Sequence, residues 1–409
     1  MRVADYLMQR LAEAGAEHIF LLPGGGAMYL DDAVACEPRL TAVPCHHEQA
    51  CGIAAEAWGR VRETFGVCLV TTGPGATNVV TPVAGAWIES VPLLVISGQV
   101  KRPDRLAGRP LRQGGVQEVD IVPMVRSITK YAVTVDDPQL IRHHLERALY
   151  EMNHGRKGPV WLDIPLDVQG APIDPATLPA FEPPVADAAS LAAEAAAVMA
   201  LLAKAERPLL LAGHGVRLAG AAPALRALAE RLSIPVATTW NALDLLPWEH
   251  PLNAGRPGVV ALRGANFAVQ NCDLLIAIGC RLDNIGTAYN PRGFARAATK
   301  VVVDVDPNEI GKLDMPIELG IAADAGDFIA ALNGAPLPAG RPAVEPWLER
   351  CHGWKTRFPV NDGAPFPTGG PISHYHFAAA LSDAAPAGTV VSTGSSGLAV
   401  EVFYTVFRN

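Results

Sequence analysis

The chain is short of charge: only 18% of its 409 residues are Asp, Glu, Lys or Arg. No basic run with interleaved aromatics occurs. The 33 basic and 41 acidic residues leave a net charge of −8, so neither nucleic acid nor an anionic membrane surface is expected as the main partner. Long apolar runs are missing too. The longest, such as "VPLLVISG" and "RPLLLAGHG", are strand-length and cannot cross a bilayer. Seven cysteines, an odd number, include no C-x-x-C pair. With no basic, signal-like start, they read as reduced thiols of a cytoplasmic protein. What the chain has instead is apolar substance. Half of it is hydrophobic, enough for a large interior, and its length suggests two or three domains.

Strand-like and helix-like blocks alternate. "VADYLMQRLAEAG" has helical spacing and ends at Gly15. "HIFLLPGGG", "FGVCLVTTGPGATN", "VPLLVISGQV" and "GPVWLDIPLDVQ" are apolar strands, the first two running into glycine turns. Continuous apolar strands alternating with helices predict an α/β fold of consecutive three-layer domains, each with a parallel sheet covered on both faces. Residues 171–189, with five prolines, read as a linker. A second strand–helix series fills 190–335, another linker 336–369. Residues 370–409 offer one helix, one strand ("TVVSTG"), a Gly/Ser turn and the start of a helix; this third unit reads as cut short.

The stretch "CHHEQACGIAAEAWGR" holds the first chemical candidate. Ala50, Ile53, Ala54, Ala57, Trp58 and Val61 share one helical face, which predicts a buried helix starting near Glu48. On local pattern alone, Glu48 reads as a first-turn acid favoured by the helix dipole. Cys45, His46 and His47 could suggest a metal site, but strand neighbours point to opposite faces and no second pair has zinc spacing. The turns "LPGGGAM" and "TTGPGATN" can present backbone N–H groups to a ligand, or be plain tight turns. Neither has dinucleotide-fingerprint or P-loop spacing. Further on, Arg281 follows one strand, and Asp304 and Asp306 end another, where acids suit ribose hydroxyls.

Taken in order, "PGGG", "HHEQA", "TTGPGATN", "SGQV", "VQE", "GPVWLDIP" and "GCRLD…VDVDPNEIGK" resemble the acetolactate-synthase-like thiamine-diphosphate enzymes over almost the whole chain. The resemblance implies a pyrimidine-binding domain at 1–170, a Rossmann-like central domain at 190–335 and the opening of a diphosphate-binding domain at 370–409. It implies that Glu48 hydrogen-bonds N1′ of the cofactor's aminopyrimidine and promotes deprotonation of thiazolium C2. By the same resemblance Gly24, Gly25 and Gly26 lie near the aminopyrimidine and the reacting centre. Gly73, Gly75 and Asn78 lie near the cofactor and a subunit interface, and Gln117 near the substrate. The implied reaction decarboxylates a 2-keto acid such as pyruvate and adds the two-carbon unit to a second carbonyl, in a homodimer or tetramer with the active site between subunits.

Two departures bear on the acceptor. Val116 stands where acetolactate synthases usually have phenylalanine, and Leu166 where they have lysine, so a charge that could orient a second keto acid is absent. FAD is a further implied cofactor, held partly by Arg281 and the Asp304 strand end, although some relatives lack flavin. Mg²⁺ and the diphosphate are bound in the family by a "GDG…N" motif that this sequence does not contain. The expectation is a fragment of a longer enzyme, weak in cofactor binding and catalysis alone. A keto-acid decarboxylase, a C–C hydrolase and a non-catalytic nucleotide-binding regulator are the alternatives.

Overall fold

A computed structural model describes residues 1–106, 108–184 and 190–408. The chain divides into two compact units, Met1–Asp187 and Ala188–Asn409. Each is built on one six-stranded sheet in which every strand pairing is parallel, as the unbroken apolar runs predict.

In the first unit the strands are β1 (His18–Leu21), β2 (Thr41–Pro44), β3 (Gly66–Val70), β4 (Leu93–Gln99), β5 (Tyr131–Thr134) and β6 (Val160–Pro165), in the order β2-β1-β3-β4-β6-β5. Strand side chains alternate between two cores, as period-two geometry requires. Ile19, Leu21, Val67, Leu69, Leu94, Ile96 and Leu162 pack with the helices Val3–Glu13, Met28–Cys36 and Ile141–Asn153. Phe20, Cys68, Val70, Leu93, Val95 and Trp161 face the helices Glu48–Arg62 and Val80–Glu89. Because both faces are covered, all residues of β3, β4 and β6 are buried. The helix Val3–Glu13 does stop before Gly15, whose φ of +94° ends it.

The second unit repeats the plan with β7 (Pro208–Ala212), β8 (Val236–Thr238), β9 (Asn253–Gly255), β10 (Leu274–Ile278), β11 (Thr299–Asp304) and β12 (Leu319–Ala322), in the order β12-β11-β10-β7-β8-β9. The first sheet reverses its winding between β1 and β3, and again where β6 turns back to lie between β4 and β5; the second reverses once, between β7 and β10. Ligands of open parallel sheets bind in the crevice at the carboxyl ends of such a strand pair.

Two local expectations need correction. Residues 336–369, expected as a linker, contain the helix Glu345–Arg357, whose Trp347 and Cys351 are buried in the second core. Its apolar spacing is masked by the Gly/Pro-rich approach. The expected strand "TVVSTG" is irregular among the described residues, with Val390 70% exposed; a strand needs a hydrogen-bonding neighbour, and none flanks it. The helix His374–Ala384 forms as expected. Of the expected linker at 171–189, residues 185–189 lie outside the described residues.

Candidate active site

At the switch point of the first sheet, β1 runs into Leu22–Pro23–Gly24 and β3 into Thr71–Thr72–Gly73. The two turns lock together. Gly26 N donates to Thr71 Oγ1 at 3.0 Å. A Cβ on Gly24 would lie 2.5 Å from Thr71 Cβ, and one on Gly26 2.9 Å from both Thr71 Oγ1 and Thr72 Cγ2. Gln169, fully buried, donates from Nε2 to Gly26 O and Ile164 O, both at 2.8 Å. Gly24 N donates to Asp31 Oδ2 at 3.2 Å. Burial pushes the Asp31 carboxyl up to about 6 against that single bond. Gly25 differs from its neighbours: a Cβ there meets nothing within 4 Å.

Glu48 arrives from the other side. The helix Glu48–Arg62 follows β2 directly, and its first turn is capped by His47, whose Nδ1 accepts from Gln49 N at 3.0 Å. Glu48 Oε2 accepts a hydrogen bond from Asn78 Nδ2 at 2.8 Å. Its Oε1 lies 3.6 Å from where a Cβ of Gly75 would be. The structure thus brings together Gly24, Gly26, Glu48, Gly75 and Asn78, which sit on separate segments of the sequence. Gly73 and Gln117 form a second meeting. Gly73 has a φ of +60°, and a Cβ there would fall 1.9 Å from Gln117 O.

The buried side of the Glu48 helix is not the one its pattern predicts. Ala50, Ile53, Ala57 and Val61 are exposed, while Cys51, Gly52, Ala55 and Gly59 are buried. Small size decides this. A Cβ on Gly66 of β3 would lie 1.9 Å from Ala55 O, and one on Gly52 2.5 Å from Pro82 Cγ. Helix backbone therefore rests on strand backbone at Gly66 and on the helix Val80–Glu89 at Gly52, a closeness the bulkier face cannot reach. Glu48 itself is half-buried rather than buried, because the first turn stands at the rim of the sheet.

Arg281 and Asp304 belong to the second unit and its own switch point. Gly279 N donates to Val303 O at 2.9 Å, which places the residues after β10 beside the end of β11. A Cβ on Gly213, after β7, would meet Gly279 O at 2.0 Å. Asp304 is buried and accepts from Asp306 N at 2.9 Å. Arg281 is exposed, its Nε 4.0 Å from Glu309 Oε1. Among the described residues no group of three His, Cys, Asp or Glu could hold a metal ion, and all seven cysteines are free. No helix among the described residues is long and apolar enough to cross a membrane.

Thr71, Thr72, Asp31, Gln99 and Asp163 escape the sequence reading. Asp163 leaves a signal there, an acid inside the apolar strand "VWLDIP". Thr71 and Thr72 show none beyond their place in a glycine turn.

Comparison with known proteins bears on both units. Residues 1–124 match the model for the thiamine pyrophosphate enzyme N-terminal TPP binding domain, and residues 195–332 that for the central domain of the same enzymes. The chain is 36% identical over 360 residues to the probable acetolactate synthase large subunit of Methanocaldococcus jannaschii, covering 86% of this chain and 59% of that protein. It is 36% identical over 366 residues to the acetolactate synthase large subunit of Corynebacterium glutamicum, covering 88% and 57%. With the acetolactate synthase isozyme 1 large subunit of Escherichia coli the identity is 32% over 391 residues, covering 95% and 66%. The chain therefore spans about three fifths of the length of these relatives.

Proposed function

The chain belongs to the thiamine pyrophosphate enzyme family, and from that premise we propose that it forms part of a carboligase of the acetolactate-synthase type. The reaction is decarboxylation of a 2-keto acid such as pyruvate, followed by addition of the two-carbon unit to a second carbonyl. The observation that carries this reading is Glu48, held by Asn78 at 2.8 Å beside the interlocked glycine turns that follow β1 and β3. The residues fit an aminopyrimidine. Gly25 faces open space, and a half-buried carboxylate held by an amide can share a proton with a ring nitrogen.

In this reading Glu48 holds and moves a proton at N1′ of the pyrimidine, and Asn78 keeps the carboxylate in place. Gly24, Gly25, Gly26, Gly73 and Gly75 let backbone approach the ring, and Gln117 lies at the substrate. Bound thiamine diphosphate supplies the electron sink for the cleaved carbon–carbon bond. Mg²⁺ and the diphosphate would be held by the portion of the relatives that this chain does not span. FAD, if used, would sit at the second switch point beside Arg281 and Asp304.

A homodimer or tetramer in the cytoplasm completes the proposal. Support comes from the uncovered apolar side chains on the packed helices Glu48–Arg62 and Val80–Glu89. Ile53, Val61 and Ile88 are each more than half exposed, apolar surface that a second subunit would cover. Leu166, in place of a lysine, favours an acceptor carbonyl that carries no carboxylate. The test is product analysis on the complete polypeptide, supplied with thiamine diphosphate, Mg²⁺ and pyruvate with and without a second carbonyl compound. Acetolactate or another carboligation product supports the proposal. Acetaldehyde or acetate alone points to a decarboxylase or hydrolytic relative, and failure to bind thiamine diphosphate rejects the reading.

A further inference from the structure

A chain of buried polar groups that the proposed chemistry does not use lies behind the first switch point. Gln99, the last residue of β4, is 2% exposed and Asp163, on β6, is 1% exposed. Gln99 Oε1 accepts from Thr72 Oγ1 at 3.0 Å and from Val100 N at 2.9 Å. Its Nε2 donates to Val119 O at 2.9 Å and to Asp163 Oδ2 at 3.1 Å. That uses both donors and both lone pairs of the amide. Asp163 also accepts from Ser97 Oγ at 2.6 Å and Thr134 Oγ1 at 3.1 Å, and Ser97 Oγ accepts from Trp161 Nε1 at 2.8 Å.

The two segments that Gln99 grips are those that carry Gly73 and Gln117. Thr72 precedes Gly73 in the chain, and Val119 follows Gln117 by two positions. Gln117 has a φ of +60°, a conformation that a non-glycine residue keeps only where its surroundings hold it. Glu118 supplies part of that hold by accepting from Leu106 N, Gly114 N and Gly115 N at 2.6, 2.8 and 3.0 Å. It folds the loop on itself but does not attach it to the sheet. Gln99 makes that attachment.

We infer that Gln99, anchored by Asp163, is a positioning residue that holds the Gln117 segment against the Thr72–Gly73 turn and so sets one wall of the 2-keto-acid pocket. The pocket's identity rests on the proposed function; the relay itself does not. A network that only filled the core would loosen the whole sheet when cut, whereas a positioning relay loosens these two segments.

Hydrogen exchange on the 409-residue chain separates the cases. Gln99→Leu is expected to speed amide exchange in residues 72–78 and 114–119 about tenfold or more, with β1, β3 and β6 unchanged. Gln99→Glu keeps the acceptor oxygen, loses both donated bonds and sets a second carboxylate against Asp163, so it loosens the same segments by a different route. Combining Gln99→Glu with Asp163→Asn restores a donor–acceptor pair between the two residues. Residues 72–78 should then return toward wild-type exchange while 114–119 stay fast, since Val119 O still lacks its donor. Unchanged exchange at 114–119, or loss of protection throughout the unit in both single variants, overturns the inference. In the complete polypeptide the same single variants are expected to raise KM for the 2-keto acid more than they lower kcat. A loosened segment with unchanged KM removes the pocket role. Absence of any wild-type turnover would count against the proposed function and leave the exchange result standing.

Discussion

Asp163 gives the proposal a pH signature that can be worked out in advance. Burial pushes its carboxyl from the ordinary 3.8 up to about 6, against the pull of Ser97, Gln99 and Thr134 and the more distant charge of Arg105. Between those two values the folded chain holds a proton that the unfolded chain has released. Stability from this group is therefore greatest below about pH 4 and falls as pH rises through about 6. A shift of roughly two units corresponds to about 3 kcal/mol. Asp163→Asn removes the titration. It also changes the absolute stability, because the amide offers a donor where Gln99 Nε2 needs an acceptor, so the slope is the quantity to compare. Asp31, likewise raised to about 6 by burial, contributes equally to both proteins and cancels. Urea unfolding followed by tryptophan fluorescence, from about pH 4 to 7, should show wild type losing about 3 kcal/mol relative to Asp163→Asn. A flat difference across that window, or one of opposite sign, refutes the reasoning.

Three further outcomes are expected. Glu48→Gln in the complete polypeptide should lower turnover about 10²- to 10⁴-fold with an unchanged circular dichroism spectrum; near-normal turnover would remove Glu48 from catalysis. Gly24→Ala should cost about 1–3 kcal/mol in unfolding experiments. Its φ of −163° needs no glycine, but the new methyl would lie 2.5 Å from the Cβ of a threonine; Gly25→Ala, facing open space, serves as the neutral control. Leu166→Lys should shift acceptor preference toward keto acids in competition assays, and an identical product profile would show that this position does not select the acceptor.

The two parallel sheets were readable from the sequence because doubly covered strands are continuous apolar runs and because glycine turns mark their carboxyl ends. Glu48 stood out only as an acid where strand gives way to helix. Its partner Asn78 lies 30 residues away, and no local pattern connects the two. The buried side of its helix was misread because hydropathy ranks Ile53 and Val61 above Cys51 and Gly59, whereas fit against β3 ranks them in reverse. The helix Glu345–Arg357 was missed because proline and glycine before it look like a linker while Trp347 and Cys351 seal a core. Gln99 and Asp163 announce themselves as polar residues in apolar strands, but the bonds that give them a role join five distant segments.

Where the Glu48 helix passes Gly66 at the start of β3, main chain meets main chain with no side chain between them as a spacer. Elsewhere in the unit, the separation of helix and sheet depends on which aliphatic groups fill the gap, and it can drift as those groups are exchanged. Here the distance is fixed by main-chain atoms, which every sequence shares. The interior can therefore be rebuilt over generations without shifting this contact, provided that residues 59 and 66 stay bare.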